Sequence, residues 1–196
     1  MAGYRYHVFV SYTSDPPVGK WVHNHFAGKL EQWLRGQGIP KPKIFIDKTG
    51  IVTGSYWETE ILGALNDSCC LVAVCSPSYF ESKWCLTEFH TILERQKKIG
   101  LKPNAGRHPL IFPIRYSDGS YFPAKYQKLQ FYDMERFNCP DPIFRKDVKY
   151  VQFDQAVKSL CVELVERVRN APEWQDNWPV VRKRAPGKKT PPFPFI

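Results

Sequence analysis

The chain has 196 residues, a length that suits one ordinary domain with a tail. Hydrophobic residues make up 43% and charged residues 24%, a balance that excludes a disordered chain and collagen or coiled-coil rods. Five of the basic residues behind the net charge of +9 lie after residue 181, so the folded part is only mildly basic and gives little reason to expect nucleic acid as a partner.

Neither a membrane span nor an export signal is visible. The longest apolar run, Cys69 to Cys75, is far shorter than the roughly 18 residues that cross a bilayer, and the N-terminus lacks the basic-then-apolar order of a signal peptide. The six cysteines form no CxxC pair, and several lie in apolar runs, which is typical of buried, reduced thiols. We therefore expect a soluble, cytoplasmic protein with no membrane partner.

The N-terminal third predicts a strand, a helix and a second strand. An aromatic and β-branched run over residues 6–12 indicates the first strand, and apolar residues at helical spacing predict a helix over about 17–35, capped by Asp15. The second strand covers residues 43–46. It leads into a loop from Asp47 to Gly54, and Ser55 with Glu58 has the S-x-x-E form of a helix start.

The rest of the chain alternates in the same way. The all-apolar residues 69–75 predict a central strand, the segment Ser76 to Tyr79 a turn, and residues 84–98 a helix capped by Ser82. A fourth strand covers 110–114, where Pro113 favours an edge or a strand end, and a weaker fifth covers 128–132. An amphipathic helix over about 154–169 then completes a domain of residues 1–170, followed by a Pro-rich basic tail or linker over 171–196.

Strands that alternate with helices predict an α/β fold of flavodoxin-like type, with an open parallel sheet of about five strands and helices on both faces. Ligands of such sheets gather at the carboxyl ends of the strands. Those ends carry Ser11 with Tyr12, the Asp47 loop, and Ser76 with its turn. Trp84 and Glu88 lie four residues apart on a helix that starts near the same edge, so a carboxylate sits beside an aromatic plane. Thr91 and Arg95 continue this face, which we expect to be distinct from the apolar stripe.

These residues resemble the Toll/interleukin receptor (TIR) domain family over about residues 5–170. The matching segments are Val8 to Tyr12 as the family's first strand, Asp47 to Gly54 as its second-strand loop, and Ser55 to Leu65 as its second helix. The run Ser76-Pro77-Ser78-Tyr79, then Ser82, Trp84-Cys85 and Glu88, is similar to the family's S-P-x-Y, S-x-W-C-x-x-E motif. As an ordered set these segments are specific.

The resemblance implies the family's bacterial, NAD-cleaving type. In that branch the glutamate matching Glu88 is needed to break the bond between nicotinamide and ribose, with NAD as substrate and no further cofactor. The product is ADP-ribose or a cyclised or otherwise modified derivative, and the context is antiphage immunity with an activating or downstream immune protein. The resemblance also implies self-association through TIR surfaces, because the second-strand loop of one molecule lies against the next.

The remaining candidate residues keep two interpretations each. Trp84 and Tyr12 either pack against nicotinamide or ribose or anchor their own elements, and Asp47 either contacts the nucleotide or caps its own loop. Ser11 and Ser76 lie at the strand ends as substrate-binding candidates, although Ser76 also suits a purely structural turn. A TIR scaffold that binds other TIR domains without catalysis is the alternative to an enzyme.

Other chemistries find little support in the sequence. Neither a P-loop nor a dinucleotide-binding glycine pattern is present, the five histidines show no zinc spacing, and no serine lies in a G-x-S-x-G elbow. A receiver-like domain needs an acidic cluster after the first strand, where only Asp15 is found. We expect no metal.

Overall fold

A computed structural model describes residues 3–47, 55–104 and 109–181, and of residues 55–57 only the backbone. The strands are β1 (Tyr6–Ser11), β2 (Ile44–Ile46), β3 (Ser68–Cys75), β4 (Ile111–Arg115) and β5 (Tyr132–Asp133). The helices are α1 (18–36, with a π-helical turn at Val22–Phe26), α2 (Ser55–Asn66), α3 (Pro77–Glu81), α4 (Lys83–Lys98), α5 (Ala124–Gln127) and α6 (Lys149–Arg169). Short 3-10 turns lie at Gly119–Tyr121, Glu135–Phe137 and Pro142–Lys146. The predicted loop over 48–54 and residues 182–196 of the predicted tail lie outside the described residues, as do the side chains of Ser55 and Trp57.

The five strands form one parallel sheet in the order β2-β1-β3-β4-β5. This is the strand order of flavodoxin-like folds, with the crossover between β1 and β3 at the centre. The predicted fold class is confirmed, including the central position of β3, all eight residues of which are buried. The carboxyl ends of β1, β2 and β3 therefore lie together at one edge of the sheet.

The alternation of side chains along the strands divides the core into two layers. Val8 and Val10 of β1 pack with α1 and α6, whereas Phe9 packs on the opposite face with α2, α3 and α4. In β3 the same alternation places Val72 toward α1 and Leu71 toward α4. Because side chains alternate with a period of two, Ser11 shares the face of Phe9 and points toward α4.

Some predicted details were wrong. The side chain of Asp15 does not cap α1: the N-cap is Pro17, which has no side-chain cap, and the backbone carbonyl of Asp15 accepts from Gly19 N at 3.1 Å. Pro113 lies in an internal strand rather than at an edge. The sheet tolerates it because β5 pairs with β4 only from Ile114 onward, so no partner strand needs the missing N–H. The fifth strand itself is shorter than predicted and begins at Tyr132.

The last helix is longer than its apolar pattern predicts, since α6 begins at Lys149 rather than near 154. Val148, its N-cap, and Val151 in its first turn are exposed, so the apolar periodicity starts only at Phe153.

After α6 the chain turns back onto the domain. Trp174 packs so tightly against Gly3 that a Cβ at Gly3 would lie 2.6 Å from the Cβ of Trp174. The boundary at residue 170 stays a prediction. No helix in the described part of the chain combines the length and the apolarity needed to cross a membrane.

One surface ion pair joins the last two strands. Arg115 donates to both carboxylate oxygens of Asp133, at 3.2 and 2.5 Å, and this contact lowers the pKa of Asp133. Because the Asp133 side chain is 56% exposed, we expect Asp133→Asn to cost only about 0.2–1 kcal/mol at pH 7. The contribution of a carboxylate with a lowered pKa is present at neutral pH and is lost as the pH falls through that pKa. Urea unfolding of both proteins should therefore give a difference that shrinks below about pH 4, and a difference that grows there would contradict this assignment.

Candidate active site

A cleft of about 410 Å³ opens at the carboxyl ends of β1 and β2, beside the start of α4. Of the six residues predicted from the sequence, five line it: Ser11, Tyr12, Asp47, Trp84 and Glu88. Its volume is within the range of small-molecule sites. The topology explains the convergence, since strands far apart in sequence end at the same edge of a parallel sheet.

Two serine caps place the aromatic and acidic residues at this cleft. The Ser76 hydroxyl accepts from Tyr79 N at 3.1 Å and caps α3, and the Ser82 hydroxyl accepts from Cys85 N at 3.2 Å and caps α4. The predicted cap at Ser82 is thus confirmed. Because α4 begins directly at the cleft, Trp84 and Glu88 occupy its first two turns and face the cavity together.

Glu88 is the most enclosed charged group of the cleft, with 4% of its surface exposed. The Ser11 hydroxyl, itself buried, donates to Glu88 Oε2 at 2.5 Å. Charged hydrogen bonds of this length are the strong ones, and a carboxylate is costly to bury unless such donors receive it. The site therefore presents a buried carboxylate whose position is fixed by the first strand.

Tyr12 also lines this cleft. Its hydroxyl lies 2.8 Å from His23 Nε2 and donates to the backbone carbonyl of Asp47, so it joins the end of β1 to α1 and to the end of β2. Burial, with the nearby charges of Asp47 and Glu88, raises the pKa of Tyr12, which keeps the phenol protonated as a donor. Tyr12 thus lines the cleft and anchors its own element, while its predicted contact with nicotinamide or ribose stays a prediction.

The two predicted serines differ in position. Ser11 touches Glu88, whereas Ser76 is not among the residues that line the cleft and holds the turn through Tyr79 N and, at 2.9 Å, through the hydroxyl of Ser78. Sequence reasoning missed Ser78, His23 and the hydroxyl of Tyr79. Only the alternation along β1 carried a signal, because it predicts that Ser11 faces the same layer as Phe9. The substrate-binding roles of all these residues stay predictions.

Cys85, next to Trp84, is not a candidate nucleophile. Burial, followed by the charge of Glu88, raises the pKa of its thiol to about 12. The thiolate, which is the reactive form of cysteine, is therefore scarce at neutral pH. Within the residues described, no group of three or more histidines, cysteines or carboxylates is arranged to hold a metal ion.

A family model described as "TIR domain" matches residues 8–156, a span that contains the whole cleft. The chain belongs to the TIR domain family. The family predicted from the ordered motif is thereby confirmed.

Two curated plant relatives are similar to this TIR domain. One is the disease resistance protein RPP2B of Arabidopsis thaliana, 26% identical over 145 residues, which cover 74% of this chain and 10% of that protein. The other is the probable 2' cyclic ADP-D-ribose synthase BdTIR of Brachypodium distachyon, 26% identical over 136 residues, which cover 65% of this chain and 54% of that protein. The chain thus spans a tenth of one relative and about half of the other.

Two solved structures contain similar domains. The TIR domains of the activated Roq1 resistosome, which recognises the pathogen effector XopQ, give a TM-score of 0.42 at 23% identity, over 80% of this chain and 83% of that one. A metazoan TIR-STING receptor from C. gigas in complex with 2',3'-cGAMP gives 0.43 at 13% identity, over 81% of this chain and 41% of that one.

The helix face behind Glu88 in this TIR domain is buried, not solvated as its polar residues suggest. Thr91 and Arg95 are 1% and 0% exposed. Arg95 donates to the carbonyls of Leu65, Asn66 and Ser68 at 2.6 to 3.2 Å, and so satisfies acceptors at the end of α2 and at the start of β3. A sequence pattern cannot reveal this burial, because it depends on the end of another helix.

Residues 171–181, which we call the C-terminal strap, cover this same face. The ring of Trp178 lies 5.0 Å from the Arg95 guanidinium, and Lys98 donates to the backbone carbonyl of Asn177 at 2.8 Å. Nearer the cleft, Val181 N donates to the Thr91 hydroxyl at 3.1 Å. The strap therefore runs along α4 from its C-terminal end toward the turn that carries Glu88.

A second cleft of about 380 Å³ lies between β4, the segment before β5, and α6. It contains none of the six predicted residues and mixes cationic side chains, among them Lys102 and Arg167, with the carboxylates Glu163 and Glu166. It lies beside the start of β4 rather than at the carboxyl ends where ligands of parallel sheets bind. The cleft at Glu88 remains the candidate active site of this TIR domain.

Proposed function

We propose that this TIR domain cleaves the bond between nicotinamide and ribose in NAD. The single observation that carries the proposal is the Glu88 carboxylate, buried inside a cleft and beside an indole, at the carboxyl edge of a parallel sheet. The similarity to a relative named as a probable cyclic ADP-ribose synthase supports it at the level of the family.

The chemistry suits an enclosed carboxylate. As the bond from ribose C1' to the nicotinamide nitrogen breaks, its electron pair goes to the ring, which leaves as neutral nicotinamide, and positive charge develops on the ribose. An anionic side chain at a fixed position stabilises that charge more in the transition state than in the ground state. Glu88 is the catalytic residue in this proposal, and it also suits hydrogen bonds from ribose hydroxyls.

In this proposal the aromatic residues bind and orient NAD. Trp84 and Tyr12 line the cleft with planar surfaces that suit stacking against nicotinamide or ribose, and the carboxylate of Asp47 suits a contact with a substrate hydroxyl. Water then attacks C1' and loses a proton, which gives ADP-ribose. Attack by a hydroxyl of the same molecule gives a cyclic product instead, and exclusion of water favours that course.

Self-association belongs to the same proposal. Ile143, Val148 and Val151 are 59%, 78% and 63% exposed, and these three aliphatic side chains lie near the start of α6 in the sequence. A second copy of the chain is the partner that TIR domains imply. If assembly completes the site, nicotinamide release per molecule rises with protein concentration. A role in antiphage immunity, with an activating or downstream immune partner, stays a prediction, as does a cytoplasmic location.

The proposal is tested on the protein itself. We expect the full chain, incubated with NAD over a wide range of protein concentrations, to release nicotinamide, measured by chromatography, and mass spectrometry to find ADP-ribose or a cyclised derivative. Absence of nicotinamide at all concentrations, with and without a crowding agent, would overturn the enzymatic function and favour the non-catalytic scaffold.

A further inference from the structure

The hydroxyl of Ser11 lies between two other buried groups. It is 2.5 Å from Glu88 Oε2 on one side and 2.9 Å from the Tyr79 hydroxyl on the other. Ser11 and Tyr79 are 1% and 0% exposed, so ordinary solvent does not compete for these contacts. Three residues from β1, α3 and α4 are thereby joined in one short chain of hydrogen bonds.

The direction of these bonds follows from the number of protons. An ionised carboxylate only accepts, so the single proton of the Ser11 hydroxyl goes to Glu88. The Ser11 oxygen is then an acceptor, and Tyr79 must donate to it. Burial raises the pKa of Tyr79, which keeps the phenol protonated for this purpose. The Cys85 carbonyl is a second acceptor for this single phenol proton, but it is farther away at 3.4 Å, so the shorter contact to Ser11 is the stronger hydrogen bond.

This arrangement leaves Ser11 no proton for a ligand. A hydroxyl that donates to Glu88 can donate to a ribose or amide only by releasing the carboxylate. The secondary structure supports the same arrangement. Strand β1 directs Ser11 toward α4, and the Ser76 cap stabilises the start of α3, the helix that carries Tyr79. The contacts therefore point to support of Glu88 rather than to direct recognition of a substrate.

We propose that Ser11 is a positioning residue for Glu88 and that Tyr79 orients the Ser11 hydroxyl. This inference rests on the proposed NAD cleavage and deepens it. A carboxylate held by a fixed donor does not have to reorganise as charge develops on the ribose, so the benefit falls on the chemical step. Ground-state binding of NAD depends on other groups of the cleft.

The test separates these two steps. Ser11→Ala should lower kcat for nicotinamide release about 10- to 100-fold, the range for a hydrogen bond to a charged group, while KM changes less than about threefold. Tyr79→Phe removes a neutral hydrogen bond and should lower kcat about 3- to 10-fold. Ser11→Thr keeps the hydroxyl and should retain most of the activity.

Two matched variants control for the loss of a buried hydroxyl. Ser68→Ala removes a serine hydroxyl from β3 that donates to the Ala64 carbonyl at 2.7 Å, and Tyr116→Phe removes a phenol that donates to the Asn138 carbonyl at 2.9 Å. Neither touches Glu88, so both should keep wild-type kcat. Thermal unfolding of every variant identifies any that fail to fold.

The outcomes distinguish this inference from the proposed function. Wild-type protein without nicotinamide release overturns NAD cleavage. In that case crystal structures of wild type and Ser11→Ala still test the positioning, since we expect the Glu88 carboxylate to leave its wild-type place in the variant. If the wild type is active, an unchanged kcat in Ser11→Ala, or a loss confined to KM, overturns the positioning role. A Ser11→Ala crystal structure in which the Glu88 carboxylate keeps its wild-type place would also overturn the positioning role.

Discussion

Glu88→Gln should reduce kcat for nicotinamide release by at least about 100- to 1,000-fold. The substitution preserves the size and most of the packing of a side chain that is 4% exposed, but it removes the negative charge that, in the proposed reaction, stabilises the ribose as the glycosidic bond breaks. Binding of NAD, measured by calorimetry, should change much less, because the stacking surfaces of Trp84 and Tyr12 remain. Nicotinamide release is followed by chromatography at a protein concentration where the wild type is active.

Glu94→Gln is the matched control for this substitution. It lies on the same helix, but its carboxylate is 43% exposed and pairs with Lys97 at 2.6 Å, away from the cleft. We expect it to keep wild-type activity. Glu88→Gln with wild-type kcat would remove Glu88 from the mechanism, and an equal loss in both variants would indicate a general effect on the helix rather than catalysis.

Arg95→Ala should cause a large loss of stability, about 3–5 kcal/mol of unfolding free energy. Arg95 is fully buried, and its removal leaves the carbonyls of Leu65, Asn66 and Ser68 without their donor and opens a cavity below Trp178. Urea unfolding followed by tryptophan fluorescence measures the change. The unfolding free energy of Arg95→Lys should lie between those of the wild type and Arg95→Ala. One ammonium group does not reach three carbonyls in the way a guanidinium does.

Arg35→Ala provides the comparison for Arg95. Arg35 pairs with Glu31 at 2.9 Å on the surface of α1, and its side chain is 62% exposed, so its loss should cost less than about 0.5 kcal/mol. Equal destabilisation by the two substitutions would mean that the buried contacts of Arg95 contribute nothing beyond an ordinary surface ion pair.

The sequence predicted a feature correctly where that feature depends on a single helix or strand. The apolar run of β3 predicted a buried central strand, and the spacing of Trp84 and Glu88 predicted their shared face at the cleft, because both patterns depend on local geometry. Ser82 was predicted as a cap for the same reason. Residues whose roles depend on distant partners were not predicted. Arg95 has the polar character of a solvated face, and only the end of α2 above it explains its burial.

The same distinction applies to the cleft. Ser11 was a candidate because it ends a strand, but its bond to Glu88 requires two segments separated by 77 residues to meet. The short β5 and the internal Pro113 depend on how little of β4 is paired with β5, which no periodicity in the sequence predicts. Local patterns thus predicted which residues meet at the sheet edge, whereas the hydrogen bonds among them required the packed structure.

The C-terminal strap returns the polypeptide to the helix that carries Glu88. The Val181 N–H donates to the hydroxyl of Thr91, which lies three residues beyond Glu88 on α4. A probe attached to residue 181 would consequently lie beside the helix that carries Glu88. Displacing the strap at this residue would break a hydrogen bond about one helical turn from the Glu88 carboxylate.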